Sequence, residues 1–329
     1  MIHADVRRDA ARAWTEQALR KESSGASFTF TPASADASFR RYWRAALADG
    51  RSYVVMDAPP DREDCRPFVR IAAMLAAAGV NAPQVLAQDL QQGFLLLTDL
   101  GTRTYLEELN EGNAARLFGD AIDALLRWQL ATRAGMLPPY DEALLRREMI
   151  LFPEWYVGKH LGKTLSAAQT QTLENIFRHL VQSALAQPVV YVHRDYMPRN
   201  LMVCEPNPGV LDFQDAVLGP ITYDVVSLMR DAFISWPEEQ VLDWTVRYWE
   251  KAKRAGLPVA GDFGEFWRAY EWMGLQRHLK VLGIFARINY RDGKPKYLTD
   301  TPRFLKYSFA VAKRYRELAP LTKLLDELQ

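Results

Sequence analysis

The sequence predicts an α+β fold in two lobes, a small, mostly antiparallel sheet unit followed by a larger and mainly helical one. Two observations set this out: apolar residues alternate at strand period through the first third, and recur at helical spacing from about residue 113 onward. A third refines it, because one apolar interruption around residues 189 to 213 returns short strands to the helical part. At 329 residues and 37.6 kDa the chain is long enough for two packed lobes. We place their boundary between residues 99 and 100, with no internal repeat and no Gly/Ser linker to suggest separate domains.

In order along the chain, "SFTFTPASADASFRRYWRAAL" reads as two strands joined by a loop of small residues, and "RSYVVMDAPP" as a third strand stopped by Pro59 and Pro60. A helix follows in "PFVRIAAMLAAAGV", where Phe68, Ile71, Leu75 and Ala78 share a face and Gly79 is the stop. "GFLLLTDLG" is a continuous apolar strand, and Asp99 to Gly101 a short crossing segment. Later helices place Leu117, Ala121, Leu125 and Trp128 on one face and Leu173, Ile176, Phe177, Leu180 and Ala184 on another. Ser166 with Gln169, and Ser235 with Glu238, fit the reciprocal cap in which a hydroxyl and an amide or carboxylate satisfy orphan backbone donors.

Composition narrows the function classes. With 49% hydrophobic and 25% charged residues the chain is an ordinary globular one. Its 41 Lys and Arg nearly cancel 40 Asp and Glu, which leaves no basic field for nucleic acid. No apolar run is long enough to cross a bilayer. The charged start "MIHADVRRDAARAW" lacks the apolar core of a signal peptide, and Cys65 with Cys204 reads as two free thiols in a reducing compartment. A cytoplasmic protein with neither nucleic-acid nor membrane partners is expected.

The chemistry concentrates in "VVYVHRDYMPRNLMV" and the "GVLDFQDA" that follows. Asp195 and Asn200 stand five apart in a loop, and Asp212 follows a short apolar hairpin. Such a set suits phosphoryl transfer: one carboxylate accepts the proton of an acceptor hydroxyl, while a second carboxylate and a carboxamide oxygen hold magnesium against nucleotide phosphates. On this reading Asp195 is the base, and Asn200 and Asp212 are the Mg2+ ligands. The spacing His-x-Asp-x-x-x-x-Asn, with a later Asp at a strand end, resembles the catalytic loop and metal motif of protein-kinase-like phosphotransferases. His193, at the end of an apolar strand, reads as a buried packing residue. Arg199 either reaches the transferred phosphate or faces solvent. Asp215 either touches a sugar hydroxyl or caps a turn. Asp224, opening a helix, reads as a buried anchor that holds the catalytic loop through backbone N–H groups. Arg194 has no assigned role.

The nucleotide lobe departs from that pattern. It has Ser and Ala where a Gly-rich loop is usual, no lysine between Lys21 and Lys159, and Met56 and Asp57 where a third-strand lysine is looked for. Phosphate charge is then expected to come from Arg40 or Arg41, with Arg44 further along the strand, and Glu63 or Asp64 is placed to orient such an arginine; the alternative for these arginines is exposed strand charge. Thr98, Asp99 and Leu100 are expected to offer backbone groups to adenine.

These stretches carry a family resemblance across almost the whole chain. It looks like the aminoglycoside-phosphotransferase branch of the protein-kinase-like fold. Within that branch it resembles the bacterial anomeric kinases of N-acetylmuramate and N-acetylglucosamine, through "DASFRRY", "YVVMDAPPDRED", "GFLLLTDLG", "HRDYMPRNLMV", "LDFQDAVLGPITYDVVSL" and "WMGLQRHLKVLGIFARINYRDGKPKYLTDTPRF". The resemblance implies use of ATP and Mg2+ to phosphorylate the C1 hydroxyl of amino sugars recovered from peptidoglycan. It also implies residues 1–99 as the nucleotide-binding lobe and 100–329 as the lobe of catalytic loop, metal and sugar. Arg194 departs from it, since that branch more often has Gly there. A muramate carboxylate calls for cations, and Arg277, His278, Lys280 and Arg287, beside Trp272 and Tyr290, are the substrate-binding candidates; an ordinary solvated face is the alternative. Two other readings stand beside this one: an aminoglycoside- or choline-like acceptor on the same fold, and a non-catalytic nucleotide-binding scaffold.

Overall fold

A computed structural model describes residues 5–20, 27–35 and 39–328. Asp36, Ala37 and Ser38, part of the loop read in place of a Gly-rich one, and the first four residues of the N-terminal stretch lie outside the described residues. The chain forms two compact units, one of Met1–Glu108 with Asn200–Asp215, the other of Leu109–Arg199 with Ala216–Gln329.

The first unit is a five-stranded antiparallel sheet with helices. Helix α1 (Val6–Arg20) precedes strands β1 (Phe28–Ala35), β2 (Arg41–Leu47) and β3 (Ser52–Asp57); helix α2 (Arg66–Ala77) leads to β4 (Val85–Asp89) and β5 (Phe94–Thr98), and α3 (Tyr105–Glu108) ends the run. The strand order is β1-β2-β3-β5-β4. α1 was not foreseen. Its Ala11, Thr15 and Leu19 recur every fourth residue and are buried, and Ala11 and Leu19 pack with Phe30, Trp43, Val55, Phe94 and Leu96 of the sheet. α2 starts with Pro67 in its first turn, buries Phe68, Ile71, Ala72 and Leu75, and stops where Gly79 takes a φ of 70° that other residues rarely adopt. The segment that returns to this unit is a minimal hairpin of β7 (Leu201–Met202) and β8 (Gly209–Val210), tied back by Val210 N–H to the Asn81 carbonyl at 2.7 Å.

The second unit is helical. After α4 (Ala114–Leu130) and α5 (Glu142–Met149) comes a π-helical stretch, Phe152–His160, then α6 (Ala167–Leu185). Strand β6 (Val189–Val192) pairs antiparallel with β9 (Val217–Pro220), and α7 (Tyr223–Met229), α8 (Glu238–Arg254), α9 (Phe263–Asp292), α10 (Thr301–Arg314) and α11 (Ala319–Leu328) follow. The reciprocal cap at Ser166 and Gln169 forms as read. The one at Ser235 and Glu238 does not. Pro237 disfavours helical backbone at Trp236, so α8 begins at Glu238 with Pro237 as its cap residue, and the Ser235 hydroxyl instead accepts a bond from Tyr307 at 2.9 Å. α9 is the hub of this unit, packed by the π-helical stretch, α5, α6, α7 and α10.

Candidate active site

In the first unit the β7–β8 hairpin brings together Asn200 and Asp212, the two residues read as metal ligands. Leu201 faces Val210, so the residues just outside that rung, Asn200 and Leu211, are neighbours, and Leu211 N–H bonds the Asn200 carbonyl at 2.9 Å. Asp212 then turns back with a φ of 61°, rare for a side-chain-bearing residue, and its Oδ2 comes to 3.3 Å from Asn200 Nδ2 while Oδ1 accepts from Gln214 at 2.9 Å. Phe213, fully buried, packs on Phe68 of α2 with ring centroids 4.6 Å apart, which fixes the turn. A carboxylate and a carboxamide in contact form a donor set that suits Mg2+, which takes few protein oxygens and completes its shell with water and phosphate. Turning the Asn200 amide end for end presents its oxygen to such an ion.

In the second unit β6 leads into the loop read as catalytic. His193 is buried, as read, and its Nδ1 accepts the Asp195 backbone N–H at 3.2 Å. Asp224, the second residue of α7 and fully buried, accepts the N–H of His193 at 2.6 Å and of Arg194 at 3.0 Å, the anchoring role read from sequence. Burial pushes its carboxyl up to about 7, against the lowering effect of those two N–H groups. Arg194 has a φ of 77°. Arg199 lies in a short 3-10 turn, Pro198–Asn200, exposed, its guanidinium 5.0 Å over the Phe233 ring. Asp215 is exposed.

The arginines read as phosphate ligands have distinct settings, all in the first unit. Arg41 stands directly across β2–β3 from Asp57, whose carboxylate is completely buried, and bonds it at 2.7 and 3.1 Å; Arg7 of α1 bonds its other oxygen at 2.7 Å. Arg44 grips Asp99 at 2.6 and 3.1 Å and the Gly101 carbonyl at 2.8 Å. It stiffens the crossing segment, and Asp99 is held below the usual carboxylate range despite its burial. Arg40 sits 3.8 Å from Glu63, one of the two carboxylates read as able to orient an arginine there. The Thr98 backbone N–H and hydroxyl are engaged with Gln84, at 3.0 and 2.9 Å. Leu100 packs where a side chain on Gly209 would collide with it.

Three of the α9 residues read as sugar ligands are buried rather than on a solvated face: Arg277, His278 and Lys280. The reason is packing on every side of α9. His278 stacks on Tyr307 at 5.0 Å and is held neutral by burial. Lys280 bonds the Tyr223 hydroxyl at 3.0 Å and pairs with Glu148 at 2.8 Å. Arg287 is half-buried, and burial lowers its pKa. Glu148, Tyr140 and Tyr223, which meet Lys280 and Arg194, were not singled out by sequence. The only hint was a glutamate inside "LLRREMI" beside apolar positions.

This architecture is that of protein-kinase-like enzymes. The chain aligns over 90% of its length with an ADP-bound aminoglycoside phosphotransferase (TM-score 0.55, 16% identity, 97% of that chain covered). It aligns over 96% with choline kinase from Cryptosporidium parvum (TM-score 0.63, 10% identity, 99% covered). Residues 29–259 match the phosphotransferase enzyme family, and the chain belongs to that family. Among curated relatives, one from Pseudomonas putida is 56% identical over 100% of this chain and 98% of its own length. Another, from Pseudomonas aeruginosa, is 59% identical over 90% and 88%. A third, from Neisseria meningitidis, is 53% identical over 92% and 91%. All three are named N-acetylmuramate/N-acetylglucosamine kinase.

Proposed function

We propose that the protein is a cytoplasmic, ATP- and Mg2+-dependent kinase that phosphorylates the anomeric hydroxyl of N-acetylmuramate and N-acetylglucosamine recovered from peptidoglycan. The observation that carries the acceptor assignment is the 56% identity, over the whole chain, to a relative of that name. The contact between Asn200 and Asp212, five and seventeen residues beyond Asp195 in the chain, supports the chemistry. Residues 1–99 serve the nucleotide, and 100–329 the catalytic loop, metal and sugar.

Asp195 orients the C1 hydroxyl and takes its proton as that oxygen forms its bond to the γ-phosphorus of ATP, while the bond to the β-phosphate oxygen breaks and ADP leaves. A hemiacetal hydroxyl is more acidic than a simple alcohol, so a carboxylate suffices as acceptor. Asn200 and Asp212 would hold Mg2+, which when bound neutralises charge on the phosphates. Arg40, just before β2 and 3.8 Å from Glu63, takes the absent lysine's part toward the phosphates. Thr98, Asp99 and Leu100 remain the adenine segment. Arg199 is a phosphate contact, and Asp215 and Arg287 serve the sugar. Arg277, His278 and Lys280 shape that side from within α9.

Asp195→Asn tests the chemistry: turnover of ATP with N-acetylmuramate falls by a factor on the order of a thousand, while ATP binding by calorimetry stays within about twofold. Full turnover in that variant removes Asp195 from its role. A scaffold reading fits poorly, since a scaffold has no need of all three of Asp195, Asn200 and Asp212.

A further inference from the structure

The second unit buries a polar cluster to which the proposed reaction assigns no chemical step. Glu148, near the end of α5 and 6% exposed, is its centre. Its Oε1 receives Arg194 Nη2 at 2.6 Å and lies 2.8 Å from Lys280 Nζ, while Oε2 accepts the Tyr140 hydroxyl. Gln276 Nε2 reaches the same Oε2 at 3.5 Å, and Lys280 also donates to Tyr223. Burial alone would push the Glu148 carboxyl up, but Lys280 and Arg194 hold it at about 2, so it is ionised. A carboxylate buried under two cations is not explained by stability alone, because an apolar replacement is often as stable.

The cluster bears on the geometry at Arg194. Its φ of 77° is one that glycine adopts freely and that a residue with a Cβ adopts at a cost. The residue follows β6 and immediately precedes Asp195, so its backbone sets the direction in which the Asp195 side chain leaves the loop. Asp224 holds Arg194 by its backbone N–H, and Glu148 holds it by its side chain. Tyr140, whose ring lies 5.9 Å beneath the Arg194 guanidinium, is itself fixed to β9 through its N–H and the Leu218 carbonyl at 2.7 Å. Lys280 balances the cluster and is near enough to Asp195 for the two charges to interact.

We infer that Glu148 is a positioning residue: by tethering the Arg194 guanidinium it keeps residue 194 in the left-handed conformation from which Asp195 is presented to the acceptor. The inference rests on the reading of Asp195 as the base. It explains why an arginine occupies a place where glycine needs no tether.

Two comparisons test it. Arg194→Ala and Arg194→Gly both lose the guanidinium, but only glycine is at ease at that φ, so the Gly variant retains a kcat about tenfold above the Ala variant. In the second, Glu148→Gln lowers kcat at least about tenfold in the Arg194 background, with the KM for ATP within about threefold, yet has an effect within about twofold when residue 194 is Gly. Equal loss in the Ala and Gly variants, or an equal Glu148→Gln effect in both backgrounds, overturns the tether. If Glu148→Gln does not fold, the Ala and Gly pair still decides. Asp195→Asn run alongside keeps the two readings apart: full activity there refutes the base assignment whatever the Arg194 variants do.

Discussion

Replacing Asp224 by Asn removes a charge that the second unit buries completely, and the structure sets both the sign and the pH dependence of the result. The native carboxyl lies at about 7 against an ordinary 3.8. Between those values the folded protein binds a proton that the unfolded chain does not, so this group makes stability fall as pH rises through the window. Three pH units at about 1.4 kcal/mol each give about 4 kcal/mol across it. Below the window wild-type Asp224 is a neutral acid of the same shape as Asn. The amide nevertheless turns an N–H toward one of the two backbone donors, His193 or Arg194, and leaves it unsatisfied, which costs about 1–3 kcal/mol. Urea unfolding at pH 5 and pH 8 is the assay, read as wild type minus variant. The difference favours wild type at the lower pH and shrinks by about 3 kcal/mol at the higher, for the two units between pH 5 and the folded-state value of about 7. A difference that is constant, or that grows with pH, refutes the argument, because the two N–H bonds would then stabilise the carboxylate more than burial opposes it.

Other outcomes follow from the same structure. Gly283→Ala would put a Cβ 2.3 Å from the Leu151 carbonyl carbon, so α9 and the chain before the π-helical stretch must separate. An unfolding loss of about 3 kcal/mol is expected, and a loss below about 1 kcal/mol would contradict that packing. Arg40→Ala raises the KM for ATP about tenfold with an unchanged unfolding midpoint, whereas Arg41→Ala costs stability, about 1–2 kcal/mol, by leaving buried Asp57 to Arg7 alone. Identical behaviour of the two in kinetics and in urea separates neither role and sinks the assignment. Asp212→Asn raises the Mg2+ concentration for half-maximal activity about tenfold or more, checked by metal titration at saturating ATP; an unchanged requirement excludes Asp212 as a ligand.

Strands β1, β2, β3 and β5, helix α2 and the pairing of Asn200 with Asp212 were legible because each depends on local spacing: a period of two or an apolar run, a period near 3.6, and a hairpin short enough to join its own ends; the short β4 was not read. What was not legible depended on long-range burial. α1 is rich in charge, and its apolar face of Ala11, Thr15 and Leu19 is thin without the sheet that covers it. Arg277 and Lys280 read as cleft or surface cations, because a sequence does not show that elements from across the unit surround α9. Asp57 was noted as a departure from a lysine, yet its two guanidinium partners come from fifty residues before it and from the neighbouring strand. Glu148 escaped notice for the same reason: Arg194 and Lys280 lie far along the chain, and only the fold brings their charges to it.

The central claim is that this chain transfers phosphate to an anomeric hydroxyl, and phosphorus NMR of the product tests it most directly. With ATP, Mg2+ and either N-acetylmuramate or N-acetylglucosamine, a sugar 1-phosphate signal is expected to appear as ADP accumulates. A phosphate on any other hydroxyl, or no sugar phosphate while ATP is intact, would contradict it.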